Sequence, residues 1–123
     1  MVSRKVWVVT FPKNKKEHWD RIGQLRCVIT NAPNPTIHHV HGGSMSQAGY
    51  HTGMAQRGIS HALVIPLKSE YHVGNYGIDS GVGVETWELY FGTQMGFLAE
   101  VSEIIGYDLF GLHELWLKNG TNK

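Results

Sequence analysis

Cysteine is almost absent from this chain, and its scarcity restricts the chemistry that the chain can use. The 123 residues include a single cysteine, Cys27, which excludes an internal disulfide and a zinc site built from four cysteines. Long apolar runs are also missing, because none approaches the roughly 18–20 residues that a membrane span needs. The early run VWVV is too short for the apolar region of a signal peptide. We therefore expect one cytoplasmic domain over residues 1–123, without a membrane segment.

Net charge is also small, at +1, but the two ends of the chain differ in sign. Seven of the eleven basic residues lie in the first 26 positions: Arg4, Lys5, Lys13, Lys15, Lys16, Arg21 and Arg26. From Glu85 onward, six acidic residues face two basic ones. The basic N-terminal third is either a surface that faces phosphates or an ordinary solvated helix face.

The first half of the chain predicts strands, one helix and a long loop. RKVWVVTF is typical of a strand, and KNKKEHWDRIGQLR of a helix with Asn14 as N-cap and Glu17 as the acid of a capping box. The runs CVIT and TIHHV, separated by the turn formers NAPNP, predict a hairpin. Residues 42–58 are rich in glycine and without periodicity, which indicates a loop.

The second half predicts a short buried strand followed by helices. SHALVIPL favours the strand, and KSEYHVGN a short helix that carries His72. VETWELYF and QMGFLAEVSEII have helical spacing, with Thr93 capping the second helix and Gly106 ending it. The tail adds a further short helix. The fold class is therefore α+β, with a core supported by the four tryptophans.

Histidine is the residue that this chain has in excess. Six of its eight histidines lie between positions 38 and 72: His38, His39, His41, His51, His61 and His72. Imidazole is both the commonest metal ligand and the commonest general base. Since neighbours on a strand point to opposite faces, the adjacent pair in PTIHHVHGG has two different roles in a regular strand. A ligand and a base from one strand, with another ligand from a following helix, suit phosphodiester hydrolysis.

Several spaced motifs resemble one nuclease family. The motifs are IHH, GMAQR, SH, VIPL, YH, GID and YFGT, and together they resemble the phage RecA-dependent nucleases, the Ref-like branch of the HNH endonucleases, over roughly residues 18–106. The resemblance implies an HNH-like ββα-metal core with an N-terminal strand and helix and C-terminal helices. It also implies a DNA endonuclease or nickase, of phage or prophage origin, that acts in the bacterial cytoplasm with a recombinase or host protein as partner.

The resemblance further implies a role for individual residues. His39 is expected to be the general base, and His61 either orients it or completes the metal shell. His38, His72 and Asp79 are expected to hold a divalent ion, with Mg²⁺ or Mn²⁺ first and Zn²⁺ or Ni²⁺ as alternatives.

Four residues are expected to contact DNA. Gln56 and Arg57 would bind backbone phosphate, since an arginine fork suits phosphate oxygens, although Arg57 has the alternative of being a solvated loop charge. Lys15 and Lys16 belong to the basic N-terminal surface. The other two histidines of the cluster, His41 and His51, match no position of the family and are interpreted as bystanders.

The chain also departs from the family at identifiable positions. The four places of the usual zinc knuckle hold Cys27, Thr30, Lys68 and Tyr71, and a lysine ammonium cannot bind zinc, so we expect no structural zinc. Asp79 replaces a family histidine, and it either binds a hard cation or caps the helix around Val84. These departures leave two alternatives: a degenerate HNH fold that binds DNA or a host protein without catalysis, and a small α+β protein with no site.

Overall fold

The computed structural model describes residues 7–50 and 60–119, which form a small α+β fold. Six helices and two strands are described: α1 (Lys15–Gly23), β1 (Thr36–His39), α2 (Gly43–Gln47), β2 (Val64–Leu67), α3 (Ser69–His72), α4 (Val84–Phe91), α5 (Gln94–Ile105) and α6 (Leu109–Asn119). The strands are antiparallel, with Thr36 opposite Leu67 and His39 opposite Val64. None of the helices in these ranges is both long and apolar enough to cross a membrane.

Two predicted strands are wrong. Residues 7–11 form no strand, and Val9 instead donates one backbone hydrogen bond to the Gly106 carbonyl at 3.0 Å; residues 4–6 lie outside the described ranges. The CVIT segment is a turn, closed by a bond from the Asn31 N–H to the Cys27 carbonyl at 2.9 Å. The partner of β1 is β2. The sequence did not predict this pairing, because strand propensity carries no information about which distant segment will cover a buried strand.

The glycine-rich stretch is not a loop throughout. Its residues Gly43–Gln47 form the short helix α2, with Met45 buried against the core. Gly42 and Gly43 have positive φ angles of 63° and 46°, a conformation that glycine adopts readily. The chain therefore turns directly after β1 and enters α2, while residues 51–59 of this stretch lie outside the described ranges.

The strand β2 and the later helices confirm their predictions. The short helix α3 follows β2 and carries His72. Helix α4 ends before Gly92, the Thr93 hydroxyl accepts the Gly96 N–H at the start of α5, and Gly106 ends α5 in the left-handed conformation with φ of 93°. Each boundary is thus set by the local capping chemistry that the sequence displays.

Helix α1 begins at the predicted cap, although its acid bonds differently. Asn14 Oδ1 accepts the Glu17 N–H at 2.9 Å, and Glu17 Oε2 accepts the N–H of Lys13 at 2.6 Å rather than that of Asn14. The helix buries His18 together with Ile22. His18 Nδ1 lies 2.7 Å from the Tyr107 hydroxyl and Nε2 lies 3.0 Å from the Ala62 carbonyl, so α1 is joined to the core through a polar contact.

The core lies around β2, all four residues of which are buried. Helices α1 and α5 pack against this strand. Trp87 and Trp116 are buried as expected, whereas Trp19 is half-buried and Trp7 is 38% exposed. A fully buried β2 gives β1 a fixed support, and β1 carries the histidine pair.

Candidate metal centre

Strand β1 presents its two histidines to different surroundings, as the alternation of a strand requires. The side chain of His38 is fully buried, whereas His39 is partly exposed. Directly opposite on β2 are Ile65 and Val64, both with no exposed surface. This support fixes the strand. Because neighbouring side chains on a strand point to opposite faces, the rings of His38 and His39 belong to two different groups of residues, which lie side by side.

The first group, in which only His38 is buried, is organised around the carboxylate of Asp79. Asp79 Oδ1 lies 2.6 Å from His41 Nε2, and Oδ2 lies 3.3 Å from His38 Nδ1 and 2.9 Å from His72 Nε2. One potential ligand atom from each of His38, His41 and Asp79 lies within 4.8 Å of the other two. These three residues could hold a metal ion. His72 is not a member of this close group, although the centre of its ring lies 5.0 Å from that of His38.

The turn after α3 brings Asp79 back to His72. The Asp79 N–H donates to the His72 carbonyl at 2.9 Å, and the Ile78 N–H donates to the Tyr71 carbonyl at 3.1 Å. Burial raises the pKa of Asp79, but His38, His41 and His72, which donate to its carboxylate when their rings are protonated, outweigh burial and hold this pKa far below the usual range. Asp79 is therefore an anion at every pH at which the protein would work.

Gln94, at the start of α5, is a site residue that the sequence did not reveal. Its side chain is fully buried. Gln94 Oε1 accepts the backbone N–H of His41 at 3.0 Å, and Gln94 Nε2 donates to the His41 carbonyl at 2.7 Å. The same Oε1 lies 2.9 Å from His38 Nε2. The contact partners are 53 and 56 residues away in the chain, so no local pattern announces them.

Gln94 determines which nitrogen of His38 carries a proton. The amide orientation is fixed, because turning it over would oppose its NH₂ group to an N–H donor and its oxygen to a carbonyl. His38 Nε2 must then donate to Gln94 Oε1. In the neutral ring the other nitrogen, Nδ1, has a lone pair, and this lone pair points towards Asp79.

Thr36 has the same effect on His72. The Thr36 hydroxyl has one proton, which it donates to the Leu67 carbonyl at 2.6 Å. Thr36 Oγ1 lies 2.7 Å from His72 Nδ1 and can only accept there. His72 Nδ1 must donate, and in the neutral ring Nε2 presents a lone pair to Asp79 at 2.9 Å.

When both rings are neutral, two imidazole lone pairs therefore face one carboxylate. Like-charged and electron-rich groups repel unless a positive charge lies between them, either as additional protons on both rings or as a cation. Histidines that bind metals almost always donate their other N–H to an oxygen of the protein, as His38 and His72 do here. The donor set of imidazole nitrogens and one carboxylate fits a divalent metal ion.

The second group contains His39, His61 and Trp19. His39 Nε2 lies 3.3 Å from His61 Nδ1, and the ring of Trp19 lies 5.3 Å from each of the two imidazole rings. Trp19 Nε1 donates to the His61 carbonyl at 3.0 Å. Burial and then the neighbouring His61 lower the pKa of His39 to about 4, and burial and the charge of Lys15 lower the pKa of His61. Both rings are neutral near pH 7.

The two groups open onto one cleft with a volume of about 590 Å³. Its wall is formed by Ile37, His39, His41, His72, Ile78, Asp79, Ser80, Gly83 and Val84. His39 thus lines the same space as Asp79. This space is large enough for a phosphate group and water.

The structure brings five of the predicted site residues together, in two neighbouring groups. His38, His72 and Asp79 lie together, and His39 pairs with His61 beside them.

The predicted DNA contacts fall on α1 or outside the described ranges. Lys15 Nζ lies 5.6 Å from the centre of the Trp19 ring, while Lys16 forms an ion pair with Asp20 at 3.0 Å. Gln56 and Arg57, and also His51, lie outside the described ranges.

Two interpretations of the site are corrected. His41 is not a bystander, because its ring contacts Asp79 and its backbone binds Gln94. The signal for it was its position three residues after His38, directly beyond the strand. Asp79 does not cap α4, because the N-cap of that helix is Gly83.

Comparison of the chain with protein-family models, with curated proteins and with solved structures finds no match.

Proposed function

We propose that this chain is a metal-dependent DNA endonuclease or nickase with ββα-metal chemistry. The observation that carries the proposal is the close approach of His38 Nδ1 and His72 Nε2 to the carboxylate of Asp79, with His39 in the same cleft. The arrangement of two antiparallel strands followed by a short helix also supports it, since β1 supplies His38 and His39, α3 supplies His72, and Asp79 follows α3. The resemblance of the sequence motifs to the Ref-like HNH nucleases points to the same chemistry.

The donor set favours a transition metal over Mg²⁺. Magnesium prefers oxygen ligands and retains several waters, whereas imidazole suits Mn²⁺, Co²⁺, Ni²⁺ and Zn²⁺. Three imidazoles and one carboxylate surround the site, so Mg²⁺ is the weaker choice. A divalent ion held there supplies Lewis acidity, which stabilises negative charge on a phosphate oxygen and on the leaving oxygen.

His39 is the proposed general base. Its Nε2 is engaged with His61 Nδ1 at 3.3 Å, whereas its Nδ1 forms no hydrogen bond with any residue that the structure describes. The lowered pKa of about 4 keeps the ring neutral at pH 7, so it can take a proton from water that attacks the phosphate. Trp19 and His61 hold the ring in place.

Helix α1 is the proposed phosphate-facing surface next to the base. Lys15 lies over the Trp19 ring, and Trp19 contacts the ring of His39. The charge of Lys15 reaches His61, whose pKa it lowers. A lysine in this position can hold a phosphate of the DNA backbone beside the cleft.

A plasmid-nicking assay tests the function. Purified protein with Mn²⁺, Ni²⁺ or Zn²⁺ should convert supercoiled DNA to the nicked form, and His39→Ala should lower the rate about 10²- to 10⁴-fold with an unchanged circular dichroism spectrum. Glu70→Gln is the control for surface substitution, since Glu70 is exposed on α3 outside the cleft. Absence of nicking with every divalent metal, or full activity of His39→Ala, would contradict the proposal.

A second candidate is a non-catalytic module that binds a host protein. Leu89 and Tyr90, adjacent on α4, are 81% and 73% exposed, and neighbouring exposed apolar side chains are typical of protein-binding surfaces. Metal-independent binding of a host protein, lost in Leu89→Ser and Tyr90→Ser, together with no nicking activity, would favour this function.

A further inference from the structure

Two residues outside the ligand set control how the metal centre presents its nitrogens. We infer that Gln94 and Thr36 are positioning residues that hold His38 and His72 in opposite tautomers, so that His38 binds a divalent transition metal through Nδ1 and His72 through Nε2. The inference rests on the proposed metal centre, but it does not depend on cleavage of DNA.

The Gln94 amide is held at both ends. Its oxygen accepts the N–H of His41 at 3.0 Å, and its nitrogen donates to the His41 carbonyl at 2.7 Å. A further contact joins Gln94 Nε2 to Glu88 Oε2 at 3.4 Å, and the same carboxylate oxygen accepts the Gln94 backbone N–H at 2.7 Å. The oxygen that faces His38 Nε2 is therefore a fixed acceptor, and it selects the tautomer with the proton on Nε2.

Glu88 extends this support to a third helix. Its carboxylate accepts the N–H of Ser44 at 2.8 Å and the hydroxyl of Ser44 at 2.6 Å. The Ser44 hydroxyl oxygen also accepts the N–H of Met95 at 3.3 Å. Helices α2, α4 and α5 are thereby joined at the first turn of α5, where Gln94 lies. The amide cannot rotate without breaking contacts to the backbone and to Glu88.

Thr36 is held by the sheet. It is the first residue of β1, opposite Leu67 on β2, and its hydroxyl donates across the pair to the Leu67 carbonyl. The oxygen is then an acceptor for His72, which lies on α3 just after β2. Closing the sheet therefore also sets the tautomer of a histidine on the next helix.

The two supports act on different ring atoms. His38 donates from Nε2 and His72 donates from Nδ1, so the nitrogens left for a metal are of opposite type. Both face the same oxygen of Asp79, at 3.3 Å and 2.9 Å. A preset orientation of this kind reduces the ordering that metal binding must supply, and losing such an outer contact typically costs about 10- to 100-fold in metal affinity.

Nuclear magnetic resonance of the full chain can identify the ring nitrogen through which each histidine binds the metal. Protein labelled with ¹⁵N-histidine and loaded with Zn²⁺, which is diamagnetic, shows in long-range ¹H–¹⁵N spectra which ring nitrogen binds the metal. We expect Nδ1 for His38 and Nε2 for His72. Coordination of His38 through Nε2, coordination of His72 through Nδ1, or absence of Zn²⁺ binding would overturn the inference.

Variants separate positioning from stability. Thr36→Val and Gln94→Leu should each weaken Zn²⁺ binding about 10- to 100-fold in calorimetric titration, and Thr36→Ser, which retains the hydroxyl, should bind as the unchanged chain does. Thr93→Ala is the structural control, since it removes the cap of α5 without touching a histidine; it should lower the melting temperature and leave Zn²⁺ affinity unchanged. Zn²⁺ affinity of Thr36→Val equal to that of Thr36→Ser would overturn the role of Thr36.

The outcomes distinguish this inference from the proposed function. Zn²⁺ bound through the expected nitrogens by a protein that never nicks DNA would support the inference and contradict the nuclease. Nicking by a protein that binds Zn²⁺ through His38 Nε2 and His72 Nδ1 would support the nuclease and contradict the inference.

Discussion

Asp79 is the residue that connects the candidate centre, because three histidines, two from the end of β1 or just beyond it and one from α3, meet at its carboxylate. The sequence predicted two of the three, His38 and His72, from the spacing of the family motifs. It also predicted that His38 and His39 face different surroundings, which follows from strand alternation alone. Gln94 was not predictable as a site residue, since its role depends on a contact with a position 53 residues away, whereas the position of His41 directly beyond the strand was a signal that went unused.

Removing the charge of Asp79 tests its role as ligand. We predict that Asp79→Asn lowers the affinity for Mn²⁺ or Zn²⁺ by more than about 100-fold, because the amide retains the shape of the side chain and loses the anion. Calorimetric titration measures the affinity. Glu70→Gln makes the same chemical change at an exposed position on α3 and should leave the affinity unchanged; equal affinities for the two variants would refute this ligand assignment.

His18 predicts how stability depends on pH. Burial lowers the pKa of His18 from its usual 6.5 to about 4. Between pH 6.5 and pH 4 the unfolded chain therefore binds a proton at this residue that the folded chain does not bind. The free energy of unfolding has its full value above pH 6.5 and decreases as the pH falls towards 4. A difference of this size corresponds to about 3 kcal/mol below both values.

The variant His18→Gln should reduce this acid sensitivity. Glutamine can hydrogen-bond to Tyr107 and Ala62 but does not titrate. Urea unfolding at intervals between pH 7 and pH 4, followed by circular dichroism, should show a shallower decrease for the variant than for the unchanged chain. His39 has a similarly lowered pKa, so part of the decrease should remain. Parallel pH curves for the two proteins would contradict the account.

At the scale of helices and strands, local chemistry was predictable and pairing was not. The caps Asn14 and Thr93 and the C-terminal Gly106 lie where the sequence places them. The hairpin prediction failed because CVIT closes on itself as a turn, and β1 pairs instead with a strand that begins 25 residues after its own end, at Val64. Pairing of this range depends on burial of the whole strand.

The turn into α2 provides a test of how an element supports the centre. A Cβ atom at Gly43 would lie 2.9 Å from Glu88 Cδ and Val84 Cγ1, and φ there is +46°. Gly49 also has a positive φ, of +91°, but nothing lies within 4 Å of its Cβ position. We predict that Gly43→Ala lowers the free energy of unfolding by about 1–3 kcal/mol more than Gly49→Ala does, because only the first displaces packed side chains. Urea titration measures both, and equal losses would show that the clash is relieved without cost.

At the scale of the whole molecule, the uneven charge distribution makes a prediction about the proposed binding of DNA. Lys15 and Lys16 extend from α1, and the first of them lies beside the ring that contacts His39. Each phosphate contact that is lost lowers the slope of log affinity against log salt by about 0.9. We predict that Lys15→Ala with Lys16→Ala lowers this slope by about 1–2.

Lys118→Ala provides the control for the lysine variants. Lys118 is an exposed lysine on α6, in the acidic C-terminal part of the chain. Fluorescence anisotropy with labelled duplex DNA at several salt concentrations should give the same slope for this variant as for the unchanged protein. DNA binding that does not respond to salt would argue against a phosphate-facing α1.

The central claim is that the group around Asp79 is a metal centre with the proposed base beside it. Anomalous diffraction from a crystal of the Zn²⁺-loaded protein tests this most directly. We predict one peak about 2 Å from His38 Nδ1 and from His72 Nε2, with Asp79 and His41 as its further ligands and His39 in the cleft without contact to the ion. An ion bound through His39, or no peak among these residues, would contradict the account.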